Sequence, residues 1–467
     1  MKRLHSLIPR RKLVCGAILI LACAVSCNRD NAEISPGEVF KSVGVKVADD
    51  NALRMEVAIE FKKSVTYEIE YWKEEGPAKC FRTRSREAAG TEVSKLILLE
   101  PDTRYLFRIH ARCGGGSSTT DTYAFRSGML PGNIPEYALS KDELTDEPEG
   151  YILMCKRDEP GFITLCDMRG TIVWYESVPE GVRVATYDDA TGTILAIVGS
   201  SPLKSYAGTG ILMLDLAGNR LLEKNIVEMH PHHDIRRMPD GNIIMVNYVP
   251  KTFDLSACGG SSEETVWGDG YSILDPQGNV LESWDCYGEL DPREDPDIMK
   301  KKGDWLHANA VNFDREGNRY MTFNKISQLW RIDPDDGHVL YRVGADGNVD
   351  LDERFVPDGL HSPYPLDPDR VLVLDNGKSG GEKVTRALIY EIDPAAMSAT
   401  ASLEVPLPAE YGSQNRSNAC FIDDDLMLFG SSGAKAALFT DLEGNVKRVI
   451  QCDFLPYRAE YIQNLTY

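Results

Sequence analysis

From Tyr151 onward the chain is written in short apolar runs separated by Asp- and Gly-rich turns, and one signal recurs. An apolar strand ends in Asp, a tight turn with Gly follows, and another apolar strand begins. The instances are "LCDMRGTIVW" at Asp167, "MLDLAGNRLL" at Asp215, "ILDPQGNVLE" at Asp275, "RIDPDDGHVL" at Asp333 and "FTDLEGNVKR" at Asp441, with a degenerate copy, "YEIDPAAMSAT", at Asp393. Successive spacings are 48, 60, 58, 60 and 48 residues. Asp closes such bends through its side chain and Gly accepts positive φ. A second turn type lies between them: "MPDGNIIM", "FDREGNRYM", "LDPDRVLVL" and "IDDDLMLF". Each unit therefore supplies about four strands, a period suited to propeller blades. Six units predict an all-β fold, a six-bladed β-propeller over residues 150–467.

The stretch before it has a different rhythm. Residues 39–128 hold alternating strands such as "ALRMEVAIEF", "TYEIEYW" and "TYAFRSG", a spacing that predicts an N-terminal β-sandwich. The segment "LEPDTRYLFRIHA" resembles the fibronectin type III pattern, which implies a spacer or docking module. Residues 28–38 read as a tether, and residues 129–149, with Pro131, Pro135 and Pro148, as a linker.

Composition narrows the setting. Lys2, Arg3, Arg10, Arg11 and Lys12 precede an apolar run from Leu13 to Val25 that is too short to span a bilayer. The run ends in Ala24-Val25-Ser26-Cys27, so residues 1–27 resemble a bacterial lipoprotein signal peptide with Cys27 as the lipidated residue. An exported protein, periplasmic or anchored at the outer membrane, is expected. Loss of those five cations takes the formal net charge from −21 to −26. Such acidity argues against nucleic acid as a partner and leaves the lipid anchor as the only membrane contact. Eight cysteines remain beyond the signal, enough for up to four disulfides in an oxidising compartment. Pairing in sequence order is the simplest expectation. No pair has CxxC spacing.

Candidate chemistry centres on Asp304-Trp305-Leu306-His307-Ala308-Asn309. Residues i and i+2 of a strand share a face, so His307 and Asn309 are expected to point the same way. His233, His307 and His361 precede the "MPDGN", "FDREGN" and "LDPDR" turns, which puts all three on the first, channel-lining strands of consecutive blades. His232 adjoins His233 and is expected to point into a neighbouring layer. Three imidazoles can hold zinc; alternatively, one neutral imidazole can act as a nucleophile while others stabilise an anion.

The run from "HPHHDIRRMPDGN" through "GDWLHANAVNFD" and "LHSPYPLDPDRVLVLDNG" to "YGSQNRSNACF" and "YRAEYI" resembles the bacterial arylsulfotransferase family. The DWxHxN element and the His-led strand ending in Asp-Asn-Gly are its most specific parts. The resemblance implies transfer of a sulfuryl group from an aryl sulfate ester to a phenolic acceptor, by a ping-pong route and without cofactor or metal. It implies His361 as the residue transiently sulfated, His307 and Asn309 as groups that bind sulfate oxygens, and His233 as the remaining channel histidine. Where the family carries a sulfate-binding arginine, this chain has Asn324, with Lys325 beside it. Lys325, Arg386 and Arg416 are the cations that could compensate, and His232 and Asn324 complete the expected substrate-binding set. Without such compensation the chain reads instead as a propeller lipoprotein impaired in catalysis that binds an anionic or aromatic ligand in its channel. Trp267, Trp305, Tyr364 and Tyr411 are available for stacking on a phenol. The expected partners are a small aromatic sulfate and a phenol; a homodimer is left open.

Overall fold

The repeated Asp turns are built alike. The Oδ1 atoms of Asp215, Asp275 and Asp441 each accept from the backbone N of the Asn four residues on, at 2.8 Å in every case. The Oδ2 atoms accept from the same Asn side chains at 2.7–2.9 Å. Gly218, Gly278 and Gly444 occupy the left-handed position, at φ 81°, 77° and 86°. The degenerate copy at Asp393 has no Gly there, and Met397 takes the left-handed conformation at φ 50°. These turns join the third and fourth strands of successive sheets, counted from the channel.

The computed structural model describes residues 32–76, 79–380 and 384–466. The signal segment and Cys27 lie outside the described residues. Among the described residues from Tyr137 onward the strands form six sheets of four or five strands, antiparallel except where Asp350–Leu351 pairs in parallel with Ser398–Ala399. Their inner strands are Val182–Asp188, Pro231–Arg237, Ala308–Phe313, Leu360–Asp367, Asn418–Phe421 and Ala459–Ile462. Each inner strand touches the next around a ring, which makes the fold a β-propeller. The ring is closed by exchange of terminal strands. Ala459–Ile462, at the C-terminus, is the inner strand of the first sheet, paired with Tyr151–Met154. Tyr137–Asp142 is the outermost strand of the last sheet, paired with Arg448–Cys452. The stretch expected to be a linker therefore contains a structural strand, whose alternation is too polar to stand out because only its edge packs.

The N-terminal region is a β-sandwich. A three-stranded sheet (residues 40–47, 55–61 and 91–96) faces a seven-stranded one across a shared core that includes Val57, Ile59, Tyr67, Ile69 and Phe107. The expected tether is in part ordered: Ala32–Glu33 pairs in parallel with Gly116–Ser117. The sandwich is docked on the propeller by polar contacts as well as apolar ones. Asn51 Nδ2 donates to the Tyr175 carbonyl at 2.7 Å, and the buried Arg54 pairs with Glu176 at 3.1 Å.

All eight described cysteines are free thiols, contrary to the expected pairing. Strand register explains why. Cys80 lies opposite Trp72, while Arg112, the neighbour of Cys113, lies opposite Thr66; six residues of extended strand separate the sites by about 20 Å. Cys155 and Cys166 are offset by three residue pairs on adjacent strands, about 10 Å. Cys420 and Cys452 are three strands apart in one sheet, about 14 Å. A disulfide needs Cα atoms within about 7 Å.

Under the channel mouth a buried ion pair ties three sheets together. Arg458, just before the closing strand, donates from Nη1 to Asp234 Oδ1 at 2.8 Å and from Nη2 to the Asn309 carbonyl at 3.0 Å. Asp234 Oδ2 also accepts from the Val311 amide at 3.1 Å. Replacing one partner strands the other charge in the interior, so Asp234→Ala is expected to cost about 3–5 kcal/mol. Denaturant unfolding checks this; a loss below about 1 kcal/mol would mean that the pair is solvated.

Candidate functional site

The three expected histidines come together, but not on regular strands. His233 and His307 have left-handed backbones at φ 61° and 58°, and Ser362, next to His361, lies at φ 49°. The pairing register shifts at each place: between Pro231 and Ile235, Ala308 and Ala310, and His361 and Tyr364. Non-glycine residues adopt this conformation at a cost of about 1–2 kcal/mol each, and such strain gathers at working sites. The kinks turn the side chains out of the strand alternation and into the channel mouth. His233 and His307 rings lie 4.8 Å apart. His361 is near enough for the charge of His307 to bear on it.

The expectation that His307 and Asn309 share a face fails for this reason. Asn309 is fully buried, and its amide is already used: Nδ2 donates to the Leu360 carbonyl at 2.7 Å and Oδ1 accepts from Thr322 at 2.6 Å. It fastens the inner strands of the fourth and fifth sheets, so it is not free to bind a sulfate oxygen. Positive φ at histidine leaves no mark in a hydropathy pattern.

Each imidazole has its own electrostatic setting. His307 Nδ1 donates to Asp304 Oδ2 at 2.8 Å, which leaves Nε2 toward the channel. Burial alone would raise the Asp304 pKa, but the hydrogen bond from His307 and the charges of His307 and Lys325 hold it well below the carboxylate range. His233 Nδ1 lies 2.6 Å from His232 Nδ1, so one ring must donate to the other. His232 Nε2 stands 3.4 Å from Asp269 Oδ1, both residues being fully buried. A proton on His232 Nε2, facing that carboxylate, makes His232 Nδ1 the acceptor and His233 Nδ1 the donor. His233 Nε2 then carries a lone pair. Burial, reinforced by the neighbouring histidines and Arg157, holds the His233 pKa well below that of a free imidazole. His232 is stacked on Tyr248 with ring centroids 3.8 Å apart and has no exposed surface, so it positions His233 and does not reach a ligand.

His361 differs from both. Among the described residues no carboxylate pairs with it; Asn324 Nδ2 lies 3.5 Å from its Nδ1, a marginal contact. Burial, with the charges of His307 and Arg458, pushes its pKa down to about 3 despite hydrogen bonds that the ring donates to the Gly359 backbone and the Asn376 side chain, which favour the protonated ring. It is a neutral imidazole at physiological pH.

Sequence reasoning missed two aromatics beside the histidines, the exposed Tyr206 and the buried Tyr457. Tyr206 lies 5.5 Å from the His233 ring and 5.3 Å from His307, and Tyr457 lies 5.9 Å from His233. Both come from turn segments with no repeat register. The aromatics named from sequence are elsewhere: Trp305 is buried against Tyr287, Trp267 packs edge-on to His230, Tyr364 is half-exposed farther along the His361 strand, and Tyr411 ends a short turn, Ala409–Tyr411. The three imidazoles do not bring ligand atoms together in the manner of a metal site. The described group that does, Asp333, Asp336 and His338, sits on an outer turn.

The sequence pattern of the arylsulfotransferase (ASST) family matches residues 138–453, more than half of the chain. The chain belongs to the arylsulfotransferase family. Membership brings aryl sulfotransferase-type activity in general, with aryl sulfate donors and phenol acceptors. No curated protein matches. Among solved structures, a protein of unknown function from Bacteroides caccae is 13% identical, covering 68% of this chain and all of its own, with a TM-score of 0.44. Virginiamycin B lyase from Staphylococcus aureus is 12% identical over 67% of this chain and 88% of its own, at 0.36. AztD from Citrobacter koseri is 10% identical over 86% of this chain and all of its own, at 0.32. Likeness at this level says nothing about chemistry.

For an arylsulfotransferase, the placement of cations is decisive, and two of the three expected compensators are committed elsewhere. Lys325 Nζ binds the Asp304 carboxylate at 3.0 Å and its carbonyl. Arg386 is locked between Asp375 at 3.0 Å and Glu404 at 2.8 Å. Arg416, at φ 59° just before the inner strand of the sixth sheet, makes only a 3.4 Å side-chain contact to Ser432 Oγ among the described residues.

The depressed His361 pKa makes a stability prediction. Between about 3, its value in the fold, and about 6.5, its ordinary value, the unfolded chain binds more protons, so stability rises with pH across that window and is lost on acidification. His230, His232 and His233, also depressed, act in the same direction. Melting temperature should fall between pH 7 and pH 4, and fall less in His361→Gln. An unchanged pH slope in the variant would show that His361 titrates normally.

Proposed function

We propose that the protein transfers a sulfuryl group between phenols through a covalent intermediate on His361. The observation that carries this reading is the asymmetry of the three imidazoles. His307 and His233 are each backed by a carboxylate, one directly and one through His232, whereas His361 is neutral and, among the described residues, pairs with no carboxylate. A neutral imidazole nitrogen of His361 attacks the sulfur of the aryl sulfate, forming an S–N bond as the S–O bond to the aryl oxygen breaks. The phenolate departs with the electron pair and takes a proton from protonated His307 Nε2. In the second half an acceptor phenol gives its proton back to His307 Nε2, which restores the acid, while His233 Nε2 keeps its lone pair. The phenol oxygen then attacks sulfur, and the S–N bond breaks to restore His361. Positioning and charge stabilisation dominate such a transfer, as for phosphoryl groups. Phenols suit it because they ionise near pH 10.

A second reading has its own support. Asn324 stands where the family resemblance puts an arginine, so the site could hold an anionic or aromatic ligand without turning it over. The N-terminal sandwich serves in either case as a fibronectin type III-like spacer. The Cys27 signal motif supports an exported, lipid-anchored protein.

The test is turnover of 4-nitrophenyl sulfate by the mature protein, with and without a phenol acceptor. Acceptor-dependent nitrophenol release is expected, falling by at least a factor of about 10³ in His361→Ala, as for loss of a nucleophile. Ligand binding without release across a range of phenols would favour the non-catalytic reading.

A further inference from the structure

The six inner strands start at one end of the channel, and the residues there fall into two halves. Consecutive third, fourth and fifth sheets present His233, His307 and His361. The other three present arginines. Arg183 is the second residue of the inner strand of the second sheet, and Arg416 lies two residues before that of the sixth. Arg157 follows strand Tyr151–Lys156, which runs antiparallel to the closing strand with Met154 opposite Ala459, and so reaches the same end.

None of the three arginines forms an ion pair among the described residues. The Arg157 guanidinium lies 5.8 Å from the Tyr457 ring, which in turn lies 5.9 Å from His233, and its Nε is buried without a hydrogen-bond partner. Arg183 donates from Nε to the Gly199 carbonyl at 2.7 Å and from Nη2 to Ser200, both neutral acceptors. Among the described residues the Arg416 side chain has one weak contact, to Ser432. The charge of Arg157 bears on Arg183, Arg416 and His233 alike. The nearby carboxylates, Asp158 and Glu159, are exposed. Half-buried, unpaired like charges are costly unless an anion joins them. In a chain with net charge −21 this concentration of cations is a local inversion.

We propose that Arg157, Arg183 and Arg416 form an anion clamp that holds the sulfuryl oxygens of the substrate against the histidine half of the ring. The substrate class is then a small aromatic monoester of sulfate, its ring against the exposed Tyr206. This rests on the sulfuryl-transfer reading and supplies, from the opposite side of the channel, the charge that Asn324 lacks. Guanidinium forks suit tetrahedral oxyanions.

Isothermal titration calorimetry of the mature chain with inorganic sulfate, 4-nitrophenyl sulfate and neutral 4-nitrophenol tests the clamp. Arg157→Gln and Arg416→Gln should each weaken both anions by about tenfold or more and leave 4-nitrophenol unchanged, while Arg157→Lys and Arg416→Lys retain most of the affinity. Anion binding that is equal in parent and Gln variants, equal loss in the Lys variants, or no anion binding by the parent protein would each overturn the clamp. Arginine-dependent anion binding without turnover of 4-nitrophenyl sulfate would uphold it and sink sulfuryl transfer. Turnover that survives both Gln substitutions would do the reverse.

Discussion

Arg458 is the group on which the rest of the site depends. It arrives on the last segment of the chain, and its pair, Asp234, belongs to the third sheet. Its second contact is the backbone of Asn309 in the fourth. One guanidinium thus fixes the closing strand, the His233 strand and the His307 strand to each other, directly beneath the channel mouth. Its charge also reaches His361 and helps to keep that ring unprotonated. A buried ion pair contributes little net stability compared with apolar packing; its consequence here is geometrical, since three sheets cannot slide relative to one another without stranding a charge.

Above that floor the protein accepts backbone strain in order to aim its side chains. His233, His307, Ser362, Arg416 and Ser417 all have positive φ, at or just before the starts of inner strands. A regular strand would send alternate residues into the packed layers on either side. A left-handed residue breaks that alternation and presents its side chain along the axis. The same device serves the histidine half of the ring and, at Arg416, the arginine half. The two carboxylates then give otherwise similar imidazoles different tasks: Asp304 accepts from His307 Nδ1 and turns its Nε2 to the channel, and Asp269, through His232, favours a free nitrogen on His233.

Much of the fold was legible in the sequence because it rests on local rules. The Asp-Gly turns need a particular side chain and a particular φ, and both are written in residue type. The register of His233, His307 and His361 followed from the turns alone. What could not be read was set by contacts between distant segments. Asn309 looked like a ligand because it sits two residues from His307, yet its amide is consumed by Leu360 and Thr322 across sheets. The strand Tyr137–Asp142 was hidden because an edge strand needs little apolar alternation. Cysteine count suggested disulfides, while strand register holds the thiols too far apart. Asp269 and Tyr206 became visible only when the chain was folded around the channel.

The central claim is that His361, the imidazole without a carboxylate, accepts the sulfuryl group. Mixing the mature protein with excess 4-nitrophenyl sulfate and no acceptor, then measuring peptide masses under mildly alkaline quench, tests it most directly. The account predicts a stoichiometric burst of nitrophenol and a sulfuryl group on the peptide that carries His361, removed again by addition of phenol. A burst with the label on His233 or His307, or steady turnover with no labelled peptide, would contradict it.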